Sequence, residues 1–590
     1  MKCVFDVETD GLLDTLSKIH CIVVQDIETQ EVFQFPPDEI EQALKMLETA
    51  DEIVAHNAIG FDIPAILKIY PRFNFPSYVD TLICSRLIWS DIKENDYRFK
   101  HKTEFPTRLI GKHSIEAWGY RLHLLKGDYK ENNDFSKWSP ELQSYCERDV
   151  AIAFKLYQKI KEKNYSLQAV ELEHKFAQII HKQEQHGFPF NVEKAQTLYS
   201  ELVKKRLGIE ENLQESFPPL ENKSIFIPKV NNKTRGYQKG VAFEKVEKVI
   251  FNPNSRLHIA DRLIKKYNWK PKEFTNDGRA KVDDSILEKL DYAEAKDLAE
   301  YLLIQKRIAQ LSEGNQGWLK VQNNGRIYHH TITNGTPSGR CRHHSPNISQ
   351  VASSSVPYGR EFRSLFYAPD GYKLVGCDAS SIELRCLGHM LHPFDGGIFI
   401  KELLSGDIHT KNQKELKLAS RSQAKRVIYC LIYGGGNARL GEAIGASEAE
   451  GKKLKQKFFQ ANPAFKRLRE AVIHKAQTTG FLKGIDQRFL PCRSTHSSLN
   501  LILQSAASLI VKQATIFLHE DLEKQGLVYN EDFAMVAHIH DEMQLLVKDK
   551  YAEAVGLTAV QSIRHTTEHF KFRCPLEGEY KIGSSWSETH

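Results

Sequence analysis

Two sets of carboxylates, one near each end of the chain, are spaced for chemistry with divalent cations. In VFDVETD, Asp6 and Glu8 stand two apart on a strand-like run, so both side chains leave the same face. Held side by side they repel unless a cation sits between them. Two later clusters could join them: HNAIGFD, ending at Asp62 after the strand-like EIVAH, and YCERD, in which Tyr145 and Asp149 are four apart on one helix face. Four acids so placed could hold two Mg²⁺ ions for phosphodiester cleavage, one ion activating water and the other stabilising the leaving 3′ oxygen, with the Tyr145 hydroxyl orienting the water. Each feature alone has a plain structural reading: a solvated strand edge for D-x-E, a strand-end cap for Asn57, a packed helix aromatic for Tyr145. Together the clusters strengthen the metal-site reading.

Toward the C-terminus, YKLVGCDASSIELRCLGHM reads as a buried strand ending at Asp378, then a helix on which Ser380 and Glu383 have capping-box spacing. AMVAHIHDEMQLLV puts His540, Asp541 and Glu542 at a tight turn between two apolar strands, where neither acid has a structural purpose. Asp378 and Asp541 could bind two Mg²⁺, one lowering the pKa of an attacking hydroxyl and the other holding a triphosphate, with Glu542 auxiliary. Between them SRSQAKRVIYCLIYGGG predicts a helix started by a capping box of Ser420 and Gln423 and stopped at Gly434 to Gly436. On it Arg421, Lys425 and Tyr429 recur every four residues, a stripe basic at one end and aromatic at the other. That stripe suits a triphosphate beside the cations and a sugar and base against the ring, whereas a solvated basic helix accounts for single residues only.

The elements that must position these residues divide the 590-residue chain into several domains. Residues 1 to about 160 alternate β-rich runs with helical stretches, an α/β pattern. Long amphipathic helix follows, broken at HGFPF, and from 321 strands and helices mix to the end. Between them Ser216 to Ile250 holds Pro218, Pro219, Pro228 and seven Lys/Arg against three Glu, and reads as an exposed basic loop or small insert. A composition 41% hydrophobic and 26% charged, without a run near the roughly 20 apolar residues of a membrane span, points to a globular protein. The first residues lack a signal peptide, and ten scattered cysteines with no C-x-x-C pair argue against a zinc site or disulfide framework. A net charge of +6 permits nucleic acid as a partner without requiring it.

D-x-E, N-x-x-x-F-D and Y-x-x-x-D in this order resemble the three exonuclease motifs of DEDD-type proofreading domains, in the variant that uses tyrosine. D-A-S-x-x-E-L-R from Asp378, R-x-x-x-K-x-x-x-Y-x-x-x-Y-G from Arg421 and H-D-E from His540 resemble motifs A, B and C of family A DNA polymerases. SIEAWGYRL, KQEQHGFPFN, FNPNSR, YLLIQKRI and the terminal His590 extend the likeness to short phage replicative polymerases of the thioredoxin-using type. The resemblance implies a template-directed DNA polymerase adding dNTPs to a primer 3′ end, with 3′→5′ proofreading, in phage DNA replication. It implies Mg²⁺ at both sites, with Mn²⁺ substituting, held by Asp378, Ala379 and Asp541 at one and by Asp6, Glu8, Asp62 and Asp149 at the other. It places Tyr433 near the template and insertion site and His409 on the incoming phosphates. Arg340 in TPSGR and Gln504 in LNLILQSAASLI would touch the minor groove of the primer-template end, whose acceptors all correct pairs share, and His540 would support the primer terminus.

The implied fold is α/β and α+β multidomain: a ribonuclease H-like exonuclease domain over 1–164, then a right-hand polymerase with thumb at 165–320, palm at 321–390 and 500–590, and fingers at 391–499. Implied partners are primer-template DNA, dNTPs, a helicase-primase and a single-stranded DNA-binding protein, in the cytoplasm of a bacterial host and with no membrane. The 216–250 segment falls where those phage enzymes carry a much longer thioredoxin-binding insert, which leaves thioredoxin or another host factor open; its basic residues could instead contact duplex phosphates, or form a tolerated surface loop. Cys341 and Arg342 in SGRCRHH depart from the pattern, and an extra phosphate contact is one reading. An RNA polymerase on the same palm is disfavoured because Glu383 beside Tyr429 resembles a block to a ribose 2′-hydroxyl. A non-enzymatic DNA-binding scaffold would lack metal ligands, and a nuclease alone would not keep the Arg421 helix pattern.

Overall fold

The computed structural model describes residues 1–100, with the side chains of 99 and 100 excepted, and 105–124, 134–234 and 236–590. Of the seven basic residues in the 216–250 segment, Arg235 lies outside the described residues. The chain divides into two compact units, Met1–Phe188 with His329–His590, and Pro189–Tyr328.

In the first unit, strand β1 (Lys2–Thr9) is the middle of a five-stranded sheet. It pairs antiparallel with β2 (Ile19–Asp26) and parallel with β4 (Glu52–Ala55), with β3 (Val32–Phe35) and β5 (Ser77–Asp80) at the edges. A strand covered on both sides must be apolar on both. Cys3, Phe5 and Val7 enter one core cluster and Val4 another, leaving Asp6 and Glu8 on the Val4 face toward the strand end. Helix α1 (Pro140–Glu162) covers that face, starting at Ser139, whose Oγ accepts from Leu142 N, with Pro140 in the first turn. Its residues Cys146, Val150, Ala153 and Tyr157 recur at helical spacing and meet Val4, Val23 and Val54.

Helix α2 (Leu167–His186) ends at Gly187 with a φ of 67°, and its residues Leu172, Phe176 and Ile180 pack on Leu509 and Ile516. A short hairpin of β8 (His330–Ile332) and β9 (Arg342–His344) precedes the second sheet. That sheet is antiparallel throughout, in the order β11 (Phe533–Ile539), β12 (Glu542–Lys548), β10 (Tyr372–Ala379), β13 (Gly578–Gly583). It shares one apolar core with α6 (Ile382–Asp395), α7 (Ile408–Leu416), α8 (Arg421–Ile432), α9 (Ser498–Lys524) and α10 (Ala552–His569). Residues Thr495–Lys524 are long and apolar enough to cross a membrane, but 78% of their apolar window is buried inside the fold.

In the second unit, α3 (Val192–Ser216) packs on α5 (Ala293–Ile308), with α4 (Arg256–Tyr267) between them in the chain. The segment that reads from sequence as an exposed basic loop or small insert contains a regular hairpin, β6 (Leu220–Phe226) with β7 (Phe243–Val249), in register from Leu220↔Val249 to Phe226↔Phe243. Phe226 and Phe243 both lie against Tyr237, ring centroids 5.5 and 4.9 Å away, so the hairpin end is tied by aromatic contacts rather than by a buried face.

Candidate active sites

Beside β1, carboxylate oxygens of Asp6, Glu8 and Asp149 lie within 4.8 Å of one another. An all-oxygen cluster of like charge this tight fits a hard divalent cation. Asp62 is 2% exposed at the end of the helical turn Ala58–Asp62, and burial, followed by the charges of Asp80 and Asp149, pushes its pKa up to about 7. Asp80 is a residue that reading the sequence missed. Its carboxylate accepts from Asn57 N and Ile59 N at 3.1 Å and from Leu82 N at 2.9 Å, so it closes the Asp62 turn and caps the helix Thr81–Ile88. The signal was present as an Asp just before TLICSRLI, the position of an N-cap. Tyr145 is buried with its ring edge-on to Phe135 at 6.4 Å; burial, with Asp149, Glu8 and Asp6 close by, pushes the phenol upward, so it stays a neutral O–H donor. Cys146 Sγ donates to the main chain and carboxylate of Asp6 at 3.4 and 3.5 Å.

The second site forms where β10 meets the β11–β12 turn. The register opposes Asp378 to Glu542, and Ala379 N donates to Asp541 O at 3.2 Å, so strand end and turn are stitched together. His540 begins the two-residue turn with a φ of 58°, a conformation usually left to glycine and one that functional sites retain. Asp378 is exposed on one side, yet the protein mass around it, then Asp541 and Glu542, push its pKa up to about 7, and burial raises Asp541 as well. Two acids whose charges oppose each other are a fit for divalent metal.

Glu542 differs. Burial would raise it, but His590 Nδ1 at 2.8 Å from Oε2 and Trp586 Nε1 donating to Oε1 at 2.6 Å hold it below its ordinary value. Gln544 Nε2 also donates to Oε1, at 2.6 Å. It is therefore an ionised acid fastened to the C-terminal segment, and the role of Trp586 was not legible from spacing.

Helix α8 starts as expected at Ser420, whose Oγ accepts from Gln423 N at 3.1 Å, but Gln423 reaches back to Ala419 N at 2.9 Å rather than to Ser420 N, so the capping box is incomplete. The Lys425 ammonium lies 6.0 Å from the Tyr429 ring centre, and the Tyr429 ring is 5.9 Å from Tyr433 and 6.3 Å from His409. Arg421 is paired with Asp407, which also caps α7 by accepting from His409 N at 3.0 Å. The Arg421 bond holds the Asp407 carboxyl well below the usual range. The pair is exposed and screened by solvent, so the Arg421 guanidinium remains accessible from outside. His409 is buried, and burial followed by Arg421 lowers its pKa.

The capping-box reading of Glu383 is overturned. The residue before α6 is Ser381, with a φ of 52° and no side-chain cap, and Ser380 Oγ donates instead to Glu579 at 3.3 Å. Glu383 accepts from Tyr433 Oη at 2.7 Å through one oxygen and pairs with Arg340 at 3.2 Å through the other. Arg340 is near enough to His540 and Asp541 to shift both, so the TPSGR turn belongs to this site. Gln504 is half-buried on α9. Cys341 packs against the cluster that holds Leu172, Phe176 and Leu509, which gives it a core role, while Arg342 faces outward on β9.

Residues 229–588 match the family described as DNA polymerase family A, and residues 3–161 match the RNase H superfamily. The chain is 35% identical to a DNA-directed DNA polymerase of Enterobacteria phage T3 and 34% identical to one of Escherichia phage T7, each alignment covering 100% of both proteins. Those alignments run over 703 positions against 590 residues here, so both relatives hold segments this chain lacks. Among solved structures, the polymerase domain of Pol1 from M. smegmatis, in complex with DNA primer-template and dNTP, matches with a TM-score of 0.74 at 16% identity, over 99% of this chain and 96% of that one, a likeness of fold.

Proposed function

This chain belongs to DNA polymerase family A, and on that premise we propose the roles of its two sites. It is a DNA-directed DNA polymerase with an RNase H-like exonuclease domain. Its substrates are primer-template DNA and dNTPs, and both sites depend on divalent metal, which we take to be Mg²⁺. At the polymerase site Asp378, Asp541 and the main chain of Ala379 would hold it; at the exonuclease site, Asp6, Glu8, Asp62 and Asp149. When bound, such ions neutralise phosphate charge and acidify the attacking hydroxyl or water.

Arg421, Lys425 and His409 bind the triphosphate of the incoming nucleotide, and Tyr429 and Tyr433 form the floor for its sugar and base. Glu383, fixed by Tyr433 and Arg340, occupies the space a ribose 2′-hydroxyl would need, which selects dNTPs. Arg340 and Gln504 contact the minor groove at the primer end, and His540 supports the terminus. In the exonuclease, neutral Tyr145 orients the attacking water. The single observation that most supports synthesis is the register setting Asp378 against the Asp541–Glu542 turn. Domain assignments follow: exonuclease 1–164, thumb 165–320, palm 321–390 and 500–590, fingers 391–499. The test is extension of a 5′-labelled primer on long single-stranded template with dNTPs and Mg²⁺; no extension would refute the reading.

The same assay, run under single-encounter trap conditions with and without thioredoxin, addresses the hairpin at 216–250. Ile225, Val246 and Ile250 are 77%, 48% and 65% exposed there among lysines, a surface for either a protein factor or duplex phosphates. Long products without the factor assign it to DNA; products lengthened only by the factor assign it to a partner. Work alongside a helicase-primase and a single-stranded DNA-binding protein in phage replication fits this reading.

Two substitutions test individual roles. Because Glu542 is already fastened by Trp586 and His590, Glu542→Gln is expected to lower dNTP incorporation by only about tenfold, the loss of one hydrogen bond to a charged group. A loss as large as that of Asp541→Ala in steady-state incorporation would make Glu542 a primary ligand instead. Tyr429 carries the hydroxyl that lets a chain terminator sit in place of a dNTP. Tyr429→Phe is therefore expected to raise discrimination against dideoxynucleotides by about a hundredfold, near the upper limit for one charged hydrogen bond. Competition between each ddNTP and its dNTP in primer extension measures it, and an unchanged ratio would remove the hydroxyl from the account.

A further inference from the structure

Under the turn that carries Arg340 lie four charged side chains with no part in the chemistry above. Glu173 on α2, Asp486 and Arg488 in the hairpin Phe481–Lys483/Phe489–Pro491, and Lys512 on α9 are each at most 1% exposed. Glu173 Oε1 accepts from Lys512 Nζ at 2.7 Å and from Arg488 at 2.8 Å, and Arg488 holds Asp486 at 2.8 Å, so two cations and two anions cancel. Burying ions costs several kcal/mol each, and apolar residues of the same volume commonly serve stability as well or better. What an ionic cluster with charge-assisted hydrogen bonds supplies is direction.

That direction is toward the turn. Lys512 Nζ also donates to Thr333 O at 2.7 Å, and Arg488 donates to Asn334 Oδ1 at 3.2 Å. Gly339 has a φ of 79°, and a Cβ there would stand 2.6 Å from an Arg488 guanidinium nitrogen, so that group lies directly beneath the turn. Ser508 Oγ donates to Gly339 O at 3.2 Å, and the turn closes on itself through Gly335 N to Arg340 O at 3.1 Å and Arg340 N to Thr336 Oγ1 at 3.0 Å. Gln504, Ser508 and Lys512 follow one another at four-residue steps, so one stripe of α9 carries Gln504 and both anchors of the turn. Asn334 Nδ2 donates to the carbonyl of Arg86 at 3.0 Å, which ties the same turn to the helix that Asp80 caps.

We infer that Glu173, Arg488 and Lys512 are positioning residues that hold Arg340 in register with Gln504, so that both meet the primer-template minor groove together and a mispaired end is sensed. The inference rests on the minor-groove reading of Arg340 and Gln504 proposed above. The pair Glu173→Gln with Lys512→Met removes one charge of each sign and leaves Arg488 on Asp486; Ser508→Ala cuts one anchor without touching a charge. Each is placed in an Asp6→Ala background, which silences digestion, and extension from matched and mismatched primer ends is compared.

The paired variant should lose about tenfold in the matched-to-mismatched ratio, the worth of one charged hydrogen bond. It should do so with matched kcat nearly unchanged and a higher KM for primer-template. Ser508→Ala should shift the ratio the same way by less, and adding the pair to Arg340→Ala should change the ratio no further, since all act through one side chain. If Arg340→Ala lowers the ratio while neither the pair nor Ser508→Ala does, the cluster is structural and the inference falls alone. If Arg340→Ala itself leaves the ratio unchanged, the minor-groove reading falls and takes the inference with it.

Discussion

Replacing Asp541 with alanine is expected to abolish synthesis, lowering dNTP incorporation by at least about 10³-fold, the equivalent of about 4 kcal/mol of transition-state stabilisation. Digestion of a single-stranded 3′ end should continue at the wild-type rate. The expectation follows from the stitched strand end and turn: Asp378 and Asp541 stand where their charges oppose each other, and removing one leaves a single primary acid for the metal. Folding should not suffer. With its pKa raised from 3.8 to about 7, Asp378 keeps its proton in the folded chain while the unfolded chain loses it, so stability falls as pH rises through that window. Deleting the neighbouring charge lowers the folded value and narrows the window. In metal-free buffer at pH 8 the Asp541→Ala protein should melt no lower than wild type by calorimetry. Loss of both activities in a folded protein would count against separate sites.

The opposite separation is expected from Asp6→Ala combined with Glu8→Ala. Of the three acids whose oxygens lie within 4.8 Å of one another, only Asp149 remains. Release of nucleotides from a 3′-labelled strand should fall by about 10⁴-fold, a loss of about 5.5 kcal/mol, while incorporation on a matched primer stays at the wild-type level. Both substitutions lie near the end of β1, on the face covered by α1, and neither contributes to the apolar clusters that hold the sheet. Residual digestion within tenfold of wild type would place the metal elsewhere, with Asp62 and Asp80 the acids to examine next.

Much of this was legible because the motif residues sit at the ends of strongly patterned elements. The apolar run before Asp378 and the two flanking His540–Asp541 announce strands, and their ends bring the acids together once the strands pair. The stripe Arg421, Lys425, Tyr429 needed only the pitch of a helix. Partners distant in sequence were not legible: Trp586 and His590 reach Glu542 only because β13 lies beside β10, and Asp407 reaches Arg421 from another helix. The Glu383 capping box failed for a related reason. Local spacing favoured a bond to its own helix end, but Tyr433 and Arg340, 50 and 43 residues away, supply stronger partners. The β6–β7 hairpin was hidden because its apolar residues, among them Leu220, Ile225, Phe226, Phe243, Val246 and Val249, do not alternate strictly with the polar ones and its strands bury no face.

The most direct measurement of the central claim, two independent sites on one chain, follows a 5′-labelled primer with a mismatched 3′ end, annealed to template, with dNTPs and Mg²⁺. Wild type should first shorten the primer past the mismatch and then extend it to full length. Asp541→Ala should shorten without extending, and Asp6→Ala with Glu8→Ala should stall at the mismatch while extending a matched primer normally. Extension of the mismatched primer by the Asp6 and Glu8 variant as fast as by wild type, or shortening lost together with extension in Asp541→Ala, would contradict it.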